Sequence, residues 1–120
     1  MNELKARIEE LVKIADAKSE RYYHQMGYTF GKPTRHRADF ISDKWCRIIN
    51  LEERGGQWVS GSVYAFVALQ DGYTKSLGLI RVGDIHKPAS FKTPAKHARG
   101  NVFEQDFAKY LTEHGPYYMK

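Results

Sequence analysis

A chain of 120 residues that is 42% hydrophobic and 28% charged has the size and composition of one globular domain, 1–120, with core enough to fold without disulfides or metals. Its apolar runs are too short to span a bilayer, and the charged start MNELKARIEE has no signal-peptide core, so membrane and secreted classes are set aside and a cytoplasmic protein is expected. The formal charge of +5 is uneven, with residues 1–21 neutral, 22–100 at +6 and 101–120 at −1; the positive middle suits an anionic partner as well as ordinary solubility.

Leu4, Ile8, Leu11, Ala15 and Tyr22, with Val12 and Ile14 beside them, recur every three or four residues through a segment without Gly or Pro. This predicts an amphipathic helix over 1–26 that packs on a sheet and stops at Gly27. Residues 27–42 break the pattern with Gly31, Pro33 and the cluster Arg35-His36-Arg37, and read as a basic loop or arm. Two strands follow, KWCRIINL over 44–51 and WVSGSVYAFVAL over 58–69, antiparallel about an Arg54-Gly55-Gly56-Gln57 hairpin turn. Alternation in the second strand sends Val63, Ala65, Val67 and Leu69 one way and Tyr64, Phe66 and Ala68 the other, the pattern of a central strand with two apolar faces.

After a turn at 70–73, TKSLGLIRV predicts a third strand over 74–82 with a bulge at Gly78, and residues 85–89 a short edge strand that tolerates Pro88. Val102, Phe103, Phe107, Tyr110 and Leu111 fall at helical spacing and predict a helix over 101–114, capped by Asn101 and ended by Gly115-Pro116, with 116–120 as a tail. The expected fold is therefore α+β, with a long N-terminal helix and a C-terminal helix packed on a three- to four-stranded antiparallel sheet.

Chemistry is sparse in this pattern. The five histidines form no HxH, HExxH or helical i, i+4 pair, and no CxxC or GxGxxG occurs, so no metal site and no cofactor are expected. Cys46, between Trp45 and Ile48, reads as a small buried hydrophobe. The stretch GDIHKPASFKTPAKHARGN, 83–101, differs in kind: past Asp84 it holds four Lys or Arg residues, two histidines and no carboxylate. Lys87, Lys92, Lys96, His97 and Arg99 have the chemistry of a phosphate site, and Phe91 that of a platform for a base. The same residues also read as a turn, with Thr93 capping a short helix over 94–98 and Phe91 packed inward.

The strings SVYAFVAL and GDIHKPASFKTPAKHARGNVF resemble a pattern in small proteins of tailed bacteriophages, in which a strand ending in AFV leads through a Gly-Asp turn into a KPAS-aromatic-K-x-PAK-x-x-RGN run. Here QDGYTKSLGLIRV separates the two parts as an extra hairpin arm. The resemblance implies a phage protein acting in the bacterial host's cytoplasm and carries over no catalytic residue. Three readings follow. The first is a binding protein that holds nucleic acid through phosphates with Arg35, Arg37, Lys87, Lys92, Lys96, His97, Arg99 and Phe91. The second is a module that docks the same surface on an acidic host protein, and the third a metal-independent nuclease using His86 or His97.

Overall fold

The computed structural model describes residues 2–117, excluding the side chain of Asn2; the last three residues of the expected tail lie outside it. The long helix α1 spans Asn2–Gln25, and Gly27 turns the chain away at φ 72°. Leu4, Ile8, Leu11 and Ala15 are buried on one stripe of α1, as their spacing requires.

Five strands make the main sheet: β1 (Arg35–Phe40), β2 (Trp45–Arg54), β3 (Gln57–Ala68), β6 (Asp84–His86) and β7 (Gly100–Asn101), in the order β1-β2-β3-β6-β7 and antiparallel throughout. The β2–β3 hairpin turns where expected, with Gly55 and Gly56 at φ 60° and 82°, a conformation two consecutive glycines adopt without strain. The α1 stripe packs against Cys46, Ile48, Ala65, Val67 and Ile85, forming the larger core. A smaller cluster of Ile49, Val63 and Phe66, with Trp45 and Leu51, lies on the other face of the sheet.

Several expected elements are replaced. The sheet has five strands, because β1 forms within the expected arm and β7 within the expected C-terminal helix. In β1 the cluster Arg35-His36-Arg37 alternates like any strand: His36 points inward, donates from Nδ1 to Asp16 Oδ1 of α1 at 2.8 Å and meets the Tyr64 ring edge-on at 4.6 Å. Polar composition concealed a period of two.

The expected strand over 74–82 is a separate two-stranded hairpin, β4 (Gly72–Thr74) with β5 (Gly78–Ile80), and Gly78 at φ 77° serves its turn and forms no bulge. The place beside β3 goes to β6, through the pairs Phe66 with His86 and Val67 with Ile85. β7 continues the sheet beyond β6, so β6 is not an edge, and Pro88 lies outside it in an isolated bridge with Pro94. The residues Thr93 to Ala98 form no helix, and Phe91 is exposed.

The alternation expected in β3 holds from Ala65 onward and reverses at a bulge. Ile48 pairs with Ala65 and Ile49 with Val63, leaving Tyr64 as the extra residue. Tyr64 therefore joins Ala65 in the α1-side core while Val63 joins Phe66 on the opposite face. The Tyr64 hydroxyl donates to Thr112 O at 2.5 Å and ties β3 to the C-terminal segment.

No C-terminal helix forms over 101–114. Asn101 pairs with Asp84, Val102 N donates to Gly83 O, and this ladder holds the chain extended where the helix was expected to start. One 3-10 turn (Phe107–Tyr110) follows, then the hairpin of β8 (Leu111–Thr112) and β9 (Gly115–Pro116). Val102, Phe107 and Leu111 are buried all the same, so the apolar spacing marked core residues on an irregular path; a short helix is costly to nucleate and yields to such pairing.

Gly100 faces the Tyr110 ring so closely that a Cβ would overlap its Cδ2, Cγ and Cε2 atoms. Gly100→Ala is accordingly expected to destabilise the protein by about 1–3 kcal/mol, the cost of forcing atoms into a packed site, read as a lower denaturation midpoint with an unchanged slope.

Candidate functional site

Residues 87–99 form a strap over the face of the sheet that α1 leaves uncovered. The strap doubles back on itself: Ala95 N donates to Lys87 O at 2.7 Å, Ala89 N to Thr93 O at 2.8 Å, and Arg99 N to Ile85 O at 2.7 Å. Ser90, Phe91 and Lys92 are its tip. Arg47 of β2, which stands on that face beside Trp45 and Ile49 at a period of two, holds the tip by donating from Nη1 to Phe91 O at 3.0 Å. Its guanidinium also stacks on the Phe91 ring at 4.1 Å from the centroid.

His86 pegs the strap from below. Its ring is 2% exposed, lies edge-on to Trp45 at 5.3 Å, and donates from Nδ1 to Ala95 O at 2.7 Å. Burial holds its pKa below the ordinary value, with Arg99 and His97 pushing the same way and the Ala95 carbonyl and Asp84 opposing. The imidazole is thus a neutral structural donor enclosed by protein, out of reach of a substrate at the surface. His97 sits on the returning arm of the strap, exposed and with a left-handed φ of 57°, a conformation histidine tolerates better than most side chains.

The cations of the expected site separate into two groups. Lys87 reaches the C-terminal hairpin, donating to Pro116 O at 2.8 Å, and its pKa is lowered by burial and then by Arg99. Arg99 is half-buried, with Nε and Nη1 enclosed and without a partner. Both are partly buried, unlike Lys92 and Lys96. Arg35 and Arg37 alternate with His36 and so stand on the strapped side of the sheet. Arg35 lies over the Trp58 ring at 5.5 Å. Arg37 donates to Asp39 at 2.8 and 3.1 Å and to Ser60 Oγ at 3.1 Å, so an adjacent carboxylate offsets most of its charge. Lys92 and Lys96 are exposed on the strap.

Between the strap and β3 runs a groove of about 270 Å³ lined by Ser62, Val63, Pro88, Ala89, Ser90 and Phe91. Its walls are apolar, its rim carries serine hydroxyls, and Phe91 at its end is 51% exposed. Trp58, 38% exposed beneath Arg35, offers a second flat ring farther along the same face. Arg47, Trp58 and Val63 were absent from the sequence-based set. Arg47 had a readable signal, since it shares the period of Trp45, Ile49 and Leu51; Val63 had none, because the bulge reverses it.

Cys46 is enclosed in the α1-side core, and burial pushes its thiol up to about 12, so it stays protonated and inert. Among the described residues no three His, Cys, Asp or Glu side chains come together to hold a metal ion, and no helix is long and apolar enough to cross a membrane. The sequence model of one family, described as a family of unknown function (DUF7717), matches residues 5–115. No curated protein and no solved structure matches the chain.

Proposed function

The chain belongs to the DUF7717 family, and we propose that this member binds single-stranded nucleic acid along the strapped face of its sheet. The observation that carries the reading is the Arg47–Phe91 stack closing a flat apolar slot, with the Arg35–Trp58 pair on the same face. A base inserted against Phe91 finds a π-face on one side and the Pro88-Ala89 wall on the other, and the serines at the rim are donors for base edges. Arg35, Lys92 and Lys96, with His97 beside them on the strap, supply phosphate contacts, and Arg37 contributes once Asp39 releases it. Exposed, separate aromatic rings suit unstacked bases better than a duplex. Lys87 and Arg99 take no part in this reading. It agrees with a phage protein working in a host's cytoplasm.

Titration of labelled single- and double-stranded oligonucleotides tests it. Binding is expected at low salt, tighter for the single strand, and weakening steeply as salt rises; no binding at low salt overturns the reading. The Arg37–Asp39 pair favours a second reading, since a face with alternating charges and aromatic anchors also fits a protein partner. In that case capture from bacterial lysate survives nuclease treatment and oligonucleotides do not compete.

A further inference from the structure

The main sheet ends on one side at β1, which pairs with β2 alone. Among the described residues no backbone group outside the sheet bonds to Arg35–Phe40, so the outward N–H and C=O groups of this strand form an open edge, a template for another strand. α1 meets β1 on its inward face, where His36 bonds Asp16, and the strapped face carries Arg35, Arg37 and Asp39. Exposed apolar side chains flank this same edge. Tyr28 and Phe30 lie in the arm that leads into β1, Phe40 and Ile41 at its far end, and all four are between 42% and 82% exposed.

The edge is complementary in charge to itself. Arg37 donates from Nε and Nη2 to the two oxygens of Asp39, which leaves its Nη1 without a bond among the described residues and each carboxylate oxygen with a lone pair to spare. An antiparallel copy of β1 related by a two-fold axis at Ala38 sets Arg37 opposite Asp39 of the second copy, and Asp39 opposite its Arg37. Moving the axis to Arg37 or to Asp39 sets that residue against itself, and moving it to His36 sets Arg35 against Arg37. Opposite charges facing each other across a strand pair stabilise it and like charges destabilise it, so the charges select the axis at Ala38, the smallest side chain of the strand. That axis also carries the end of one strand to the start of the other, bringing Phe40 and Ile41 of each copy alongside the segment that leads into the other's β1. We propose that the chain forms a two-fold dimer by antiparallel pairing of β1 with β1 of a second copy, centred on Ala38 and joining the two sheets into one. The axis runs through the sheet from face to face, so both strapped faces lie on the same side. Each copy keeps its own Arg47–Phe91 slot, so a chain that proved monomeric would leave the oligonucleotide reading untouched.

Sedimentation equilibrium of the full chain is expected to show monomer and dimer in exchange, with a dissociation constant between about 1 μM and 1 mM, the range of a small reversible interface. Arg37→Asp and Asp39→Arg each turn both crossings from opposite to like charges, and each is expected to weaken dimerisation at least about tenfold. An equal mixture of the two variants restores opposite charges at both crossings and is expected to dimerise as the parent does, a rescue that neither a loss of fold nor a different interface would give. Far-ultraviolet circular dichroism confirms that each variant folds. A parent that stays monomeric at about 1 mM, single variants that dimerise as tightly as the parent, or a mixture that remains monomeric overturns the proposal.

Discussion

Phe91→Ala is expected to weaken single-stranded oligonucleotide binding by roughly 5- to 150-fold, the loss of about 1–3 kcal/mol for one stacked base. Phe91→Leu is the sharper variant, because it keeps the apolar bulk at the strap tip and the backbone bond from Arg47 Nη1 to Phe91 O while removing the flat ring. Both variants should lose affinity with little change in salt dependence. Lys92→Ala and Arg35→Ala should behave in the converse way, each lowering the slope of log affinity against log salt by about 0.7 if its cation meets one phosphate of a single strand. Lys87→Ala should leave that slope unchanged, since Lys87 is engaged with Pro116. Should Lys87→Ala flatten the slope as much as Lys92→Ala, the division between inward and outward cations would be wrong.

The second large effect concerns stability. His86 is buried in its neutral form, and its folded pKa lies below the unfolded value of about 6.5. Between those two values the unfolded chain takes up a proton that the folded chain does not. Stability is therefore full above about pH 6.5 and falls as pH drops toward the folded pKa, by at most about 1.4 kcal/mol per pH unit from this one group. His86→Gln keeps an N–H that can reach Ala95 O but cannot titrate. It is expected to be less stable than the parent at pH 7, by about 1–2 kcal/mol from imperfect packing and hydrogen-bond geometry, and to lose less between pH 7 and pH 5. Denaturant unfolding of both proteins at several pH values measures the difference, which cancels the shared contribution of the other histidines. Parallel stability curves would show that the imidazole charges without cost, contrary to its enclosure.

How far the fold was readable depends on the kind of signal each element carries. In α1, Leu4, Ile8, Leu11 and Ala15 repeat at a helical period for longer than chance allows, and the Gly55-Gly56 turn prescribes the hairpin it closes. Both signals are local. The C-terminal segment shows the weakness of periodicity over a short window: Val102, Phe107 and Leu111 were correctly marked as buried, but the partner that holds Asn101 extended is Asp84, 17 residues away. In β1, three polar residues in a row hid an inward His36 whose partner, Asp16, lies on the helix.

The candidate site divides in the same way. That the stretch from Gly83 to Asn101 is cationic, Pro-restricted and centred on an aromatic residue is a property of the chain alone, as are the helix, the β2–β3 hairpin and the buried, unreactive Cys46. Which of those cations face outward was decided by folding. The strap doubles over the sheet, so Lys92 and Lys96 stay exposed while Lys87 is drawn to Pro116 and Arg99 is half-enclosed, and Arg47 and Trp58 enter the face from strands that pair at long range. Local spacing encodes what one segment buries on its own axis; the sense of a side chain across a bulge, or beneath a strap, depends on contacts between segments that no single stretch contains.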